Sequence, residues 1–149
     1  MSDAVVRAGV VVISMLLRQE LEKKKTKNKK RIWVRDWIAR REKYGASSTL
    51  IKELKDEDTA SYRNLLRMDV VQFDNLLQMV YELIKKEDTQ MRMAIPPKTK
   101  LEVTLRYLAT GDSFKSLEYL FRVPECTISL FVPEVLTAIS QVLEPFIKV

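Results

Sequence analysis

Two groups of residues have the types and spacing to engage an anion or a base edge. Lys23 to Arg31 reads KKKTKNKKR, seven basic residues in nine. Further on, Thr127-Ile128-Ser129 sets two hydroxyls two positions apart. The first group (Lys23, Lys24, Lys25, Lys27, Lys29, Lys30 and Arg31) would act by charge. Neutralising phosphates releases condensed counterions, so such binding falls steeply with salt. Thr127 and Ser129 would act by hydrogen bonding to base edges or phosphates. Lys115 and Arg122, the basic residues just upstream of that pair, are candidates to orient the unit. The basic run also reads as a nuclear import signal, or as a solvated linker that aids solubility. Trp33 and Trp37, beside Arg35, Arg40 and Arg41, could stack on bases, but Trp at helical spacing ordinarily packs into a core.

Most catalytic chemistry is excluded by residue type. The chain has no histidine and one cysteine, Cys126. That removes disulfide frameworks, zinc sites, Ser-His and Cys-His pairs and imidazole bases together. Asp56-Glu57-Asp58 is the densest carboxylate cluster, but a two-metal nuclease needs carboxylates converging from separate elements. Three sequence neighbours at a helix start read as a cap and a solvated turn. Cys126 has no nearby base to activate it and reads as an inert thiol. Neither a P-loop nor a dinucleotide fingerprint occurs.

The charge is unevenly placed. Residues 22 to 43 hold eleven Lys or Arg against Glu22, Asp36 and Glu42, a balance of +8, so the remainder of this +6 chain carries −2. One segment, not the whole fold, should therefore seek an anionic partner. The 149 residues suffice for one well-buried core, and three Gly and five Pro leave little punctuation, which favours helices over strands.

Hydrophobic periodicity sets out the elements that would position these groups. Residues 1–22 form an apolar amino-terminal helix too short to span a bilayer, which needs about 20 apolar residues, and interrupted by Arg7. Residues 23–31 are a basic linker, and 32–149 a helical domain. Trp33, Val34, Trp37 and Ile38 share one side of a helix that Gly45 should stop. Ser47 or Ser48 could cap the next helix, burying Leu50, Ile51 and Leu54. Asp58 caps one that buries Tyr62, Leu65 and Leu66. Asp69 and Gln72 form a capping box opening a helix with Phe73, Leu76, Leu77, Val80, Leu83 and Ile84 inward. Lys86 to Lys98 is a loop. Thr99 and Glu102 form a second capping box, opening a helix with Leu101, Leu105 and Leu108 inward that stops at Gly111. Ser113 caps the helix of Phe114, Leu117, Leu120 and Phe121. Glu125 to Val132 follows a brief turn, and Pro133 should kink it or begin a fresh helix.

The fold class expected is thus all-α, with a helix-turn-helix unit at about residues 100–132. Glu125 to Val132 is its reading helix. Setting Ile128 inward turns Cys126, Thr127, Ser129 and Leu130 outward, since each helical residue advances about 100°. Residues 112–135 carry Lys115 and Arg122 against Asp112, Glu118, Glu125 and Glu134, a net −2. Attraction to phosphate must come from elsewhere, and the basic run is the obvious source.

Two stretches, Arg40 to Leu77 and Met91 to Ile139, resemble the amino-terminal region of Harbinger-type (PIF/Harbinger) transposases and the nucleases domesticated from them. The shared motifs are Trp37-x-x-Arg40-Arg41 leading to Gly45, Arg67-Met68, Asp88-Thr89, Leu-Ala-Thr-Gly-Asp-Ser at 108–113, and Thr127-Ile128-Ser129. Together they cover about Arg31 to the end of the chain. Pro124 stands where relatives often place a Ser cap, and Leu130 where they often carry a basic residue.

The resemblance implies a helix-turn-helix region that precedes an RNase-H-like nuclease whose Asp and Glu bind divalent metal. No counterpart of that nuclease is present in these residues. The expectation is a nuclear DNA-binding region without enzymatic activity and without a cofactor of its own, divalent metal being expected only for the family's nuclease domain. Double-stranded DNA is the expected partner, and a membrane is not. The alternative is a helical protein-interaction module that docks on a nuclease domain or an adaptor protein through Leu130, the apolar amino terminus and the last helix, with the cytoplasm as the second possible location.

Overall fold

A computed structural model describes residues 11–20, 34–90 and 92–147. The chain divides into two units, Met1–Trp33 and Val34–Val149. In the first, residues 11–20 are helical (α1), and Val11, Val12, Ile13, Met15, Leu16 and Leu17 are all exposed. The second is built from α2 (Asp36–Ala39), α3 (Arg41–Tyr44), α4 (Leu50–Glu57), α5 (Thr59–Leu66), α6 (Val70–Ile84), α7 (Pro97–Thr110), α8 (Phe114–Phe121) and α9 (Glu125–Leu143), closed by a 3-10 turn at Glu144–Phe146. Among the described residues there is no strand, only an isolated bridge between Thr89 and Arg92. The protein is all-α.

Local chemistry starts and stops most of these helices. The Ser61 N–H donates to Asp58 Oδ1 at 3.0 Å at the head of α5. Asp69 and Gln72 complete a capping box on α6, with the Asp69 N–H donating to Gln72 Oε1 at 3.2 Å. Ser113 Oγ accepts from the Ser116 N–H at 3.2 Å and opens α8. Gly111 ends α7 in the left-handed region at φ 67, where a residue without Cβ carries no penalty.

The second expected capping box does not exist. Pro97 occupies the first position of α7, where its missing N–H costs nothing and its fixed φ suits the helix. Thr99 and Glu102 therefore lie inside the helix, and both are buried. Every residue from Thr99 to Leu105 is buried, because α5, α6, α8 and α9 all pack around this one helix. Leu108, expected inward, is 56% exposed near its free end. Leu83 on α6 also faces out, as does Phe146 beyond α9.

The segment before α4 departs from expectation as well. In place of one helix there are two single turns, broken at Arg40. Gly45 follows them in extended conformation (φ −71, ψ 150) instead of in a left-handed cap. Its lack of a side chain serves packing: a Cβ there would stand 2.6 Å from the Arg41 carbonyl oxygen and 3.0 Å from that of Phe121. The Ala46 N–H then donates to the Leu120 carbonyl at 3.0 Å, tying this segment to the end of α8.

The core runs through the whole second unit, with Val80, Leu101, Val103, Leu117, Val123, Ile128 and Val135 wholly inaccessible to solvent. By length and composition Glu125–Phe146 could cross a membrane. Here that stretch is largely α9, whose Ile128, Phe131, Val132, Val135 and Ala138 are buried in the core. Helix α9 is one 19-residue helix with Pro133 inside it, so of the two expected outcomes the fresh helix at Pro133 is not formed.

Candidate nucleic-acid interface

Lys23, Lys24, Lys25, Lys27, Lys29, Lys30 and Arg31 lie outside the described residues. The four other candidates fall on or beside α8 and α9. These helices are joined by a short turn whose Arg122 adopts a left-handed conformation, φ 54. Ile128 is inward and fully buried, whereas Cys126, Ser129 and Leu130 are exposed and Thr127 is half-buried. Ser129 Oγ donates to the Cys126 carbonyl at 2.8 Å. Its lone pairs stay open to a donor. Thr127 Oγ1 accepts from Arg92 Nη2 at 2.6 Å. A guanidinium from a segment thirty-five residues upstream thereby joins this surface.

Arg122 and Lys115 are engaged otherwise than expected. Arg122 Nη1 donates to the Trp37 carbonyl at 2.8 Å, and its guanidinium lies 5.8 Å from the Trp37 ring centre and 5.2 Å from that of Tyr44. It pins the α2–α3 segment to the end of α8, a packing role that the sequence did not announce. Trp37, half-buried, packs against Tyr119 with ring centres 6.0 Å apart, which favours anchoring over base stacking. Lys115 Nζ donates to Glu118 Oε1 at 2.8 Å and lies over the Tyr119 ring at 5.4 Å. That hydrogen bond and the Glu118 charge hold the ammonium above its ordinary pKa, and they also cancel much of its field.

Glu118 supplies what Pro124 cannot. Its Oε2 accepts the Glu125 N–H at 2.7 Å, capping α9 from the preceding helix. The Lys115 hydrogen bond, aided by this backbone donor, holds the Glu118 carboxyl below its usual range, although burial pushes the other way.

The central helix carries two further buried ionisable groups. Lys100 Nζ donates to the Ile84 carbonyl at 2.8 Å, filling one of the acceptors left open at the end of α6. Burial pulls its pKa down, as does Lys86. Glu102 has no solvent exposure, and neither carboxylate oxygen makes a hydrogen bond. Burial raises its pKa to about 7; Ser47 and Lys98 pull the other way. Neither completes a hydrogen bond to it: the Lys98 ammonium stands 3.7 Å away, and the Ser47 hydroxyl lies 3.2 Å from Thr99 Oγ1.

Sequence reading missed the basic residues that the fold gathers near Thr127. Arg41 and Arg92 line one depression of about 260 Å³, together with Glu42 and the apolar Val34, Ile38, Met93 and Pro124. Arg41 is half-buried and forms no side-chain hydrogen bond or ion pair with any described residue. Burial lowers its pKa; the Glu42 charge opposes this, and the nearby Arg92 charge acts in the same direction as burial. The available signal was the density of Lys and Arg on either side of Pro96-Pro97, in a stretch with no helical period of its own.

Of the Asp56-Glu57-Asp58 cluster, Asp58 caps α5, and among the described residues no group of three or more potential ligands is placed to hold a metal. No protein-family profile matches the chain, and no curated protein or solved structure matches it.

Proposed function

We propose that this chain is a nuclear DNA-binding region of the Harbinger transposase type. The observation that carries the reading is the concentration of seven positive charges in nine residues at Lys23 to Arg31. At such a density a duplex, with one phosphate charge per about 1.7 Å of axis, is the natural counterpart. Thr127 and Ser129, at the start of α9, then supply polar contacts that set orientation. The motifs shared with the amino-terminal region of Harbinger-type proteins support the same assignment.

Gel shifts of the full chain on duplex DNA across a salt series test it. Affinity should fall steeply with salt, and deleting Lys23 to Arg31 should flatten the dependence by several units of log K per log salt. Thr127→Ala with Ser129→Ala should alter sequence preference more than total affinity. A flat salt response, or no loss on deleting the run, sinks the reading.

A protein-docking role is the second reading, favoured by Leu130, which is 70% exposed beside Ser129. On this reading the face seats an adaptor protein or a nuclease domain, and Leu130→Asp abolishes association while duplex binding is absent from the wild type.

A further inference from the structure

Three depressions adjoin one another along the loop between α6 and α7. Arg92 belongs to the first two, and Arg41 to the second and third. The first also holds Lys86 and Lys100, and the third Lys52 and Lys98. Six basic residues thus line the track against Glu42 and Glu87, so its lining carries net positive charge.

Several of these charges are already partnered. Lys86 pairs with Glu134 at 2.9 Å, Lys98 approaches Glu102, and Lys100 donates to Ile84. The middle of the track is different. Arg92 uses one of its five N–H donors on Thr127, and Arg41 uses none. Two guanidinium groups beside one depression repel each other, and Arg41 has in addition lost part of its hydration, which the Glu42 charge in the same depression offsets only in part. Such an arrangement becomes favourable when an anion with several acceptor oxygens sits between the two groups, because each planar fork matches a phosphate oxygen pair.

We propose that Arg41 and Arg92 clamp a backbone phosphate of duplex DNA at the centre of this track, with Thr127 holding the Arg92 guanidinium in place. This rests on the DNA-binding reading and gives it a second phosphate contact, on the folded domain and independent of Lys23 to Arg31. Thr127 is then a positioning residue for Arg92 as well as a polar group at the surface.

The test uses the full chain, with duplex binding followed by fluorescence anisotropy over a salt series. Arg41→Gln with Arg92→Gln should lower the slope of log K against log salt by about two units, and Arg41→Lys with Arg92→Lys should restore most of it. Circular dichroism melts establish that each variant is folded. An unchanged slope in a folded double variant overturns the clamp and leaves the DNA reading standing. A companion NMR titration of the Arg Nε–H signals with inorganic phosphate separates the remaining cases. If the wild type binds no duplex but these two signals move with phosphate, the anion site holds and its duplex source is overturned. If neither occurs, the clamp and the DNA reading fall together.

Discussion

Glu118 Oε2 accepts the backbone N–H of Glu125 at 2.7 Å, so the longest helix is capped by the carboxylate of the helix before it. The same carboxylate takes a 2.8 Å hydrogen bond from Lys115. Glu118→Ala removes both acceptors and leaves the N–H of a helix start unsatisfied. Urea unfolding at pH 7 should show a loss of about 1–3 kcal/mol. The Glu118 pKa lies below its ordinary 4.5 in the folded protein, so its contribution is complete above that value and disappears as pH falls through the folded pKa. The alanine variant should lack that acid-side slope; an identical slope in both proteins would assign it to other carboxyls.

Glu102 predicts the opposite trend. Its folded pKa, about 7, exceeds the ordinary 4.5, so the folded state binds the extra proton. Its contribution is present below about pH 4.5 and is lost as pH rises to 7, at a cost on the order of 3 kcal/mol by linkage. Glu102→Gln keeps the shape and removes the charge. The variant should be the more stable protein at pH 8 and should lose this slope. Chemical denaturation at pH 5 and pH 8 decides it: equal wild-type stabilities would show that Glu102 is ionised in the folded protein across this range.

Arg122 joins α8 to the segment carrying Trp37 and Tyr44, and these contacts predict a contribution to stability. Losing a charged hydrogen bond and two ring contacts in Arg122→Ala should cost about 2 kcal/mol. Arg122→Gly should cost less, since glycine adopts φ 54 without strain. Neither substitution should change the salt slope of duplex binding. A slope reduced by about one unit would return Arg122 to the interface.

What was legible in the sequence was chiefly local. Asp58, Asp69, Ser113 and Gly111 act within a few residues of themselves, and each does what its position implies. Thr99 and Glu102 have capping-box spacing too, but Pro97 starts the helix two residues earlier and the pair is drawn into the core. The helix stripes were readable where one face is buried, as on α6, and unreadable on α7, which is enclosed all round between Thr99 and Leu105. Contacts across long separations left no local trace. Arg92 meets Thr127 and Arg122 meets Trp37 only because the loop after α6 and the turns before α4 fold back onto α8 and α9.

Pro133 gives the sharpest test of the architecture of α9. Its ring nitrogen has no hydrogen, so the Ser129 carbonyl loses the helix bond it would receive, and the ring crowds that same carbonyl. Pro133 is exposed, so no packing offsets the loss. Within a continuous helix an interior proline costs about 3 kcal/mol relative to alanine. Pro133→Ala should therefore stabilise the protein by roughly 1–3 kcal/mol and raise its Tm by several degrees. If a separate helix began at Pro133, the residue would sit at a first position that favours proline, and the same substitution would be neutral or destabilising. Thermal unfolding followed by circular dichroism distinguishes the two, and an unchanged or lowered Tm would divide α9 at this residue and restore the short reading helix expected from the sequence.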